Sequence, residues 1–88
     1  MIVYLRKTAT KYLNSLNLAD RDRINAALAN LEKEPPQGDI EPMASLPGRF
    51  RLRVGSYRAL FHIENDNIVI SHIEPRGQAY KKKNRRKK

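Results

Sequence analysis

The chain has no cysteine, so neither a disulfide nor a thiolate metal site can brace its 88 residues. Two histidines are too few to argue for a structural zinc. No apolar run approaches the roughly 18 residues of a membrane span, and Met1 to Lys7 lacks the apolar stretch of a signal peptide. The lack of cysteine fits a reducing compartment, and the expectation is a soluble, cytoplasmic protein with no membrane partner. There is no internal repeat and no Gly-rich strand-to-helix motif, so Gly38, Gly55 and Gly77 read as turns rather than a phosphate loop. The length allows one small domain, marginal in core size but within the range that folds alone.

Acidic residues are also scarce: nine Asp and Glu stand against 18 Lys and Arg, giving +9. The excess is uneven. Met1 to Pro47 carries six residues of each sign, and Gly48 to Tyr80 carries five basic and three acidic. Lys81 to Lys88 holds seven basic residues and no acid. The expected organisation is a single domain over residues 1–80 followed by a flexible basic tail over 81–88. A basic patch with a basic tail points to nucleic acid or an acidic protein surface. The tail by itself implies salt-dependent, sequence-blind attraction to phosphates.

What the chain does have is concentrated between Arg49 and Arg58, R-F-R-L-R-V-G-S-Y-R. Apolar and basic residues alternate strictly, so Phe50, Leu52 and Val54 face one way and Arg49, Arg51 and Arg53 the other. Gly55-Ser56 fits a two-residue hairpin turn with Gly first, which starts a returning strand at Tyr57. That register sets Val54 opposite Tyr57 and Arg53 opposite Arg58. Like charges directly across a strand pair are destabilising. Such a face suggests a polyanion as its ligand.

The rest of the chain supplies elements to cover the apolar face. Ile2 to Leu5 is β-prone. Thr8 or Thr10 can cap a first helix with Ala9, Tyr12, Leu13 and Leu16 on one side. Asn17 can cap a second, with Asp20 and Asp22 in its early turns and Ile24, Ala27, Leu28 and Leu31 as its stripe, ended by Pro35-Pro36-Gln37-Gly38. Asp39 to Pro47 shows no period and reads as a loop. After the second strand (Tyr57 to Glu64), Asn65-Asp66-Asn67 is turn chemistry and Ile68 to Ile73 a third strand. The fold class expected is α+β: an N-terminal strand, an antiparallel helix hairpin, then a three-stranded antiparallel meander packed on the helices. Unbroken alternation places Leu60, Val69 and Ile73 on the arginine face and His72 on the core side with Ile68 and Ile70. Glu74-Pro75-Arg76-Gly77 then falls close to Arg53, Arg58 and the Gly55 turn, with Pro75 and Gly77 breaking the strand and Arg76 and Tyr80 returning over that corner.

With these residues in view, the chain resembles the RelE/ParE superfamily of type II toxins, and its RelE-like mRNA interferase branch in particular. The resemblance runs to about Lys81. It rests on the leading strand and helix pair, Pro35-Pro36-x-Gly38-Asp39, Leu46-Pro47-Gly48-x-Phe50-Arg51-Leu52-Arg53-Val54-Gly55-x-Tyr57-Arg58, and Ile73-x-Pro75-Arg76-Gly77-x-x-Tyr80. It implies a ribosome-dependent, metal-independent endoribonuclease that needs no cofactor, cuts mRNA in the ribosomal A site and is silenced by a cognate RelB-like antitoxin. The toxin–antitoxin complex would bind operator DNA. The catalytic positions implied are Arg51, Arg53, Arg58, Arg76 and Tyr80, with Arg49, Lys81, Lys82 and Lys83 as RNA contacts. The long basic tail departs from the usual family pattern.

Such chemistry suits these side chains. RNA is cut when its 2′-oxygen attacks the adjacent phosphate and the 5′-oxygen leaves, which requires a base, an acid and stabilisation of added negative charge. Arginine stays protonated at any physiological pH and cannot be the base, but several planar forks aimed at phosphate oxygens suit the third task. Tyr80 can transfer a proton, its phenol shifted toward phenolate by Arg58 and Arg76, or stack on a splayed base, or simply pack. His62, on the arginine face, is either a proton shuttle or an ordinary exposed histidine. Glu74 can serve as an acid or base, or buffer the arginines. Two other functions stay open: a ParE-like inhibitor of DNA gyrase, and a non-catalytic nucleic-acid-binding toxin homologue.

Overall fold

The computed structural model describes residues 1–75. In chain order these form β1 (Val3–Leu5), α1 (Lys7–Asn14), α2 (Leu18–Leu31), β2 (Asp39–Pro42), β3 (Arg49–Val54), β4 (Tyr57–Glu64) and β5 (Asn67–Pro75). The five strands make one sheet in the order β1-β5-β4-β3-β2, antiparallel throughout except for β1, which runs parallel to β5. The α+β class is as expected. The sheet has two more strands than the meander, because β1 joins it beside β5 and the segment read as a loop contributes β2.

The helices form where the apolar periodicity places them. Ala9 and Leu13 of α1 are buried, with Tyr12 and Leu16 packed against the core. Ile24, Leu28 and Leu31 of α2 are buried and Ala27 is packed beside them. Asn17 caps α2 as expected, its side chain accepting the backbone N–H of Asp20 at 2.8 Å. The first helix differs. It begins one residue before Thr8, its N-cap is Arg6, and no side chain caps it. Threonines inside the first turn cannot act as an N-cap, so α1 relies on packing against β5.

One core lies between these helices and one face of the sheet. Leu52, Val54, Ala59, Phe61, Ile68, Ile70 and Ile73 supply the sheet side. Ile24, Leu31, Leu52, Ile68 and Ile70 are its largest fully buried side chains. Burying each contributes about 1.5–3 kcal/mol relative to exposure.

Both hairpin turns follow from their residues. Gly55 has φ +57° while Ser56 does not enter the left-handed region, as a turn with Gly first requires. Asn65 and Asp66 both have positive φ, 51° and 68°, the pattern of a type I′ turn. Gly38 explains how β2 starts. Its φ is +144°, and a Cβ there would sit 2.7 Å from Leu52 Cδ1. The missing side chain lets the backbone lie against β3, and Ile40 then pairs with Leu52.

Strand β5 is not regular. Leu60 pairs with His72 and Phe61 with Ile70, so Ser71 is an extra residue, a β-bulge, and its hydroxyl donates to the Leu60 carbonyl at 3.2 Å. One inserted residue reverses the facing of everything after it. Ile73 is therefore buried in the core, and His72 is exposed on the arginine face, the opposite of the unbroken alternation.

A candidate phosphate-binding face

The bulge and β2 together determine what surrounds the arginines. Cross-strand partners run in rows over the sheet face that points away from the helices. One row is Glu74, Arg58, Arg53, Asp39; the next is His72, Leu60, Arg51, Glu41; the third is Tyr4, Val69, His62, Arg49. Arg53 lies directly opposite Arg58, and Val54 opposite Tyr57, as the alternation requires. Four arginines from β3 and β4 share this face.

They are not unaccompanied. Arg58 Nε donates to Glu74 Oε2 at 2.7 Å, a charge-assisted hydrogen bond between half-buried side chains. Glu41 Oε1 lies 3.3 Å from Arg51 Nε and 3.7 Å from Arg53 Nη2, so one carboxylate is shared by two guanidiniums at longer range. The Arg51 Nε contact lacks hydrogen-bond geometry, and that buried atom has no other hydrogen-bond partner among the described residues. The like-charge opposition at the centre of the face is thus relieved at both edges by acids. Sequence reasoning missed Glu41 altogether. The signal was available in Asp39-Ile40-Glu41, which alternates polar and apolar, but it is too short to stand out without its partner strand.

The remaining candidates divide cleanly. Arg49, Arg51, Arg53 and Arg58 are brought together on one face. His62 lies on it too, opposite Arg49, with its side chain 17% exposed and Nε2 3.1 Å from Glu64 Oε1. Its Nδ1 is buried with no hydrogen-bond partner among the described residues, so the expectation of an ordinary exposed histidine does not hold. Glu74 lies beside Arg58 as expected, and Pro75 pairs with Tyr57. Arg76, Tyr80, Lys81, Lys82 and Lys83 lie outside the described residues. Among the described residues no cluster of three or more His, Cys, Asp or Glu could hold a metal ion, and no helix is long and apolar enough to cross a membrane.

Behind the arginine end of the hairpin, on the helix side, a second polar group holds the sheet to α2. Tyr57 donates its hydroxyl to Asp20 Oδ2 at 2.7 Å and packs edge-on against Tyr12, ring centres 6.4 Å apart. The hydrogen bond to Asp20, then burial, raises the Tyr57 phenol above its ordinary range. Burial, with the charges of Glu74 and Asp20, raises Tyr12. Neither tyrosine is a source of phenolate.

A face of this kind offers guanidinium forks to phosphate oxygens and carboxylates that can hold those forks in place or accept a proton. Comparison with known proteins gives the context. A family model described as the ParE toxin of the type II toxin–antitoxin system parDE matches residues 3–80. Comparison with curated proteins gives no match. Among solved structures, the chain is similar to the toxin–antitoxin complex RelBE2 from Mycobacterium tuberculosis, with 26% identity over 85% of this chain and 96% of that one and a TM-score of 0.72. It is equally similar to the archaeal RelE–RelB complex from Pyrococcus horikoshii, with 27% identity, 88% and 96% coverage and a TM-score of 0.72. A double arginine-to-alanine mutant of the E. coli toxin RelE in the free state shares the fold at 17% identity, with 97% and 95% coverage and a TM-score of 0.70. With a family match spanning nearly the whole chain and a sheet, helix pair and coverage in common with these toxins, this protein belongs to the ParE toxin family within the RelE/ParE superfamily of type II toxins.

Proposed function

We propose that this toxin is a ribosome-dependent endoribonuclease that cuts mRNA in the A site and so stops translation. The observation that carries the reading is the pairing of Arg53 opposite Arg58, flanked by Arg51 and Arg49, on one sheet face. Two carboxylates offset four guanidiniums only in part, and an RNA backbone supplies a further anion at each nucleotide.

In the reaction a new bond forms between the 2′-oxygen and phosphorus, and the bond from phosphorus to the 5′-oxygen breaks. The 2′-hydroxyl proton goes to a base and the leaving 5′-oxygen receives one. Arg51, Arg53 and Arg58 stabilise the charge that builds on the phosphate oxygens. The resemblance assigns Arg76 to the same task and Tyr80 to proton transfer. Arg49, Lys81, Lys82 and Lys83 hold the RNA along its path by charge. No metal or cofactor is required. The partner that silences the toxin is a RelB-like antitoxin, by analogy with the RelE–RelB complexes of the relatives, and the pair binds operator DNA.

The family model is named for ParE, which supports a second reading: inhibition of DNA gyrase on the same fold. One experiment separates them. The purified protein is added to translating ribosomes, to naked mRNA and to a gyrase supercoiling reaction. Cleavage on ribosomes alone is the expected result. Inhibited supercoiling with intact mRNA would transfer the assignment to gyrase, and RNA binding without either effect would identify a non-catalytic homologue.

A further inference from the structure

The two carboxylates on the arginine face are not equivalent, and the difference points to a role for one of them. Glu41 is divided between Arg51 and Arg53 at 3.3 and 3.7 Å, whereas among the described residues Glu74 pairs only with Arg58, at 2.7 Å. The Glu74 contact is to Nε, the innermost of the guanidinium nitrogens. A guanidinium has five N–H donors, and this arrangement occupies one. The four on Nη1 and Nη2 make no hydrogen bond to any described residue. A bidentate pair would have consumed a whole edge of the fork; a contact through Nε leaves the outer edge available for two phosphate oxygens.

Such a contact does two things at once. It fixes the side chain of Arg58 in one pose, so that less rotamer freedom is lost when a phosphate arrives. It also cancels the charge of Arg58 toward polyanions in general. We propose that Glu74 is a positioning and specificity-determining residue of this site: it orients Arg58 for a phosphodiester and keeps the face from capturing RNA indiscriminately. The first half rests on the reading of Arg58 as a phosphate contact given above; the second concerns charge alone and can be tested without cleavage. The register of β5 beyond Ser71, with His72 opposite Leu60, sets Glu74 opposite Arg58.

The full-length protein is compared with Glu74→Ala, Glu74→Gln, Arg58→Ala and the double variant Glu74→Ala/Arg58→Ala, using a single-stranded RNA oligomer as probe. Thermal melting of each variant confirms the fold, and Glu74→Gln stands in if Glu74→Ala does not fold. Freeing one cation is expected to tighten RNA binding about tenfold at low salt and to steepen the log–log salt slope by about 0.7. In the double variant the gain should vanish. On ribosomes, Glu74→Ala should lower kcat without raising KM, and Glu74→Gln, whose amide oxygen can still accept the Nε–H, should recover much of the kcat while binding RNA more tightly. Unchanged affinity in Glu74→Ala, or a gain that survives removal of Arg58, would overturn the proposal. If Arg58→Ala alone leaves RNA binding and cleavage untouched, the failure lies with the phosphate reading rather than with Glu74.

Discussion

The β3–β4 hairpin and the two strands on its flanks were built by different rules, and the arginine face depends on both. The hairpin follows strict alternation, a Gly-first turn and an uninterrupted register from Arg49–His62 to Val54–Tyr57. The flanking strands break pattern: β2 has four residues and ends in proline, and β5 carries a bulge. Positive charge comes from the regular part. The carboxylates that hold it, Glu41 and Glu74, come from the irregular parts. The sequence pattern therefore reveals the arginines with Glu74 close by, while the folded chain presents guanidiniums held by two acids, Glu41 and Glu74.

The comparison is most sharply tested at Arg58. Arg58→Lys keeps the charge and loses the fork, and it is expected to slow cleavage on ribosomes about a hundredfold in single-turnover assays, with the melting temperature nearly unchanged. A rate within a few-fold of wild type would mean that charge alone suffices. Core truncation comes next. Leu52→Ala in the hairpin should lower unfolding free energy by about 2–5 kcal/mol in urea titrations. Ile40→Ala, half-buried in β2, should cost about 1 kcal/mol. Equal losses would show that the short flanking strand is as deeply built in as the hairpin.

The bulge offers a subtler break. Deleting Ser71 leaves Ile70 opposite Phe61 and His72 opposite Leu60, so both halves of β5 keep their facing and Arg58 keeps Glu74. The deletion should cost less stability than Leu52→Ala and leave RNA affinity within about twofold, read by melting and oligomer binding. A large rise in affinity would instead signal loss of the Glu74 contact.

The smallest effect concerns pH. Because the Tyr57 phenol is raised in the folded chain by its bond to Asp20, the stabilisation it gives is complete below the ordinary phenol value, about 10, and is lost as pH rises through the higher folded value. The difference in denaturation midpoint between wild type and Tyr57→Phe should be flat from about pH 7 to 9 and shrink above about 10. A difference that grows at high pH would contradict the assignment.

Much of this fold was legible before any coordinates. Ala9, Leu13, Ile24, Leu28 and Leu31 announce two helices by spacing alone, Asn17 announces its cap, and Gly55-Ser56 announces the turn. Each is a local pattern with a local cause. β2 was hidden because its stability comes from Leu52 and the close approach at Gly38, contacts that no short window contains. Ser71 was hidden because a bulge leaves alternation intact on either side and reverses only its phase. His72 and Ile73 consequently exchanged faces, and Glu41 entered the site unannounced.

The central claim is that the arginine face acts on an RNA backbone held by the ribosome. Primer extension along a reporter message, translated in a reconstituted system with wild type or Arg58→Ala added, tests it most directly. Wild type should produce strong stops at A-site positions that disappear with Arg58→Ala, while a supercoiling reaction run alongside stays unaffected. Stops of equal strength with both proteins, or no stops together with inhibited supercoiling, would contradict the account.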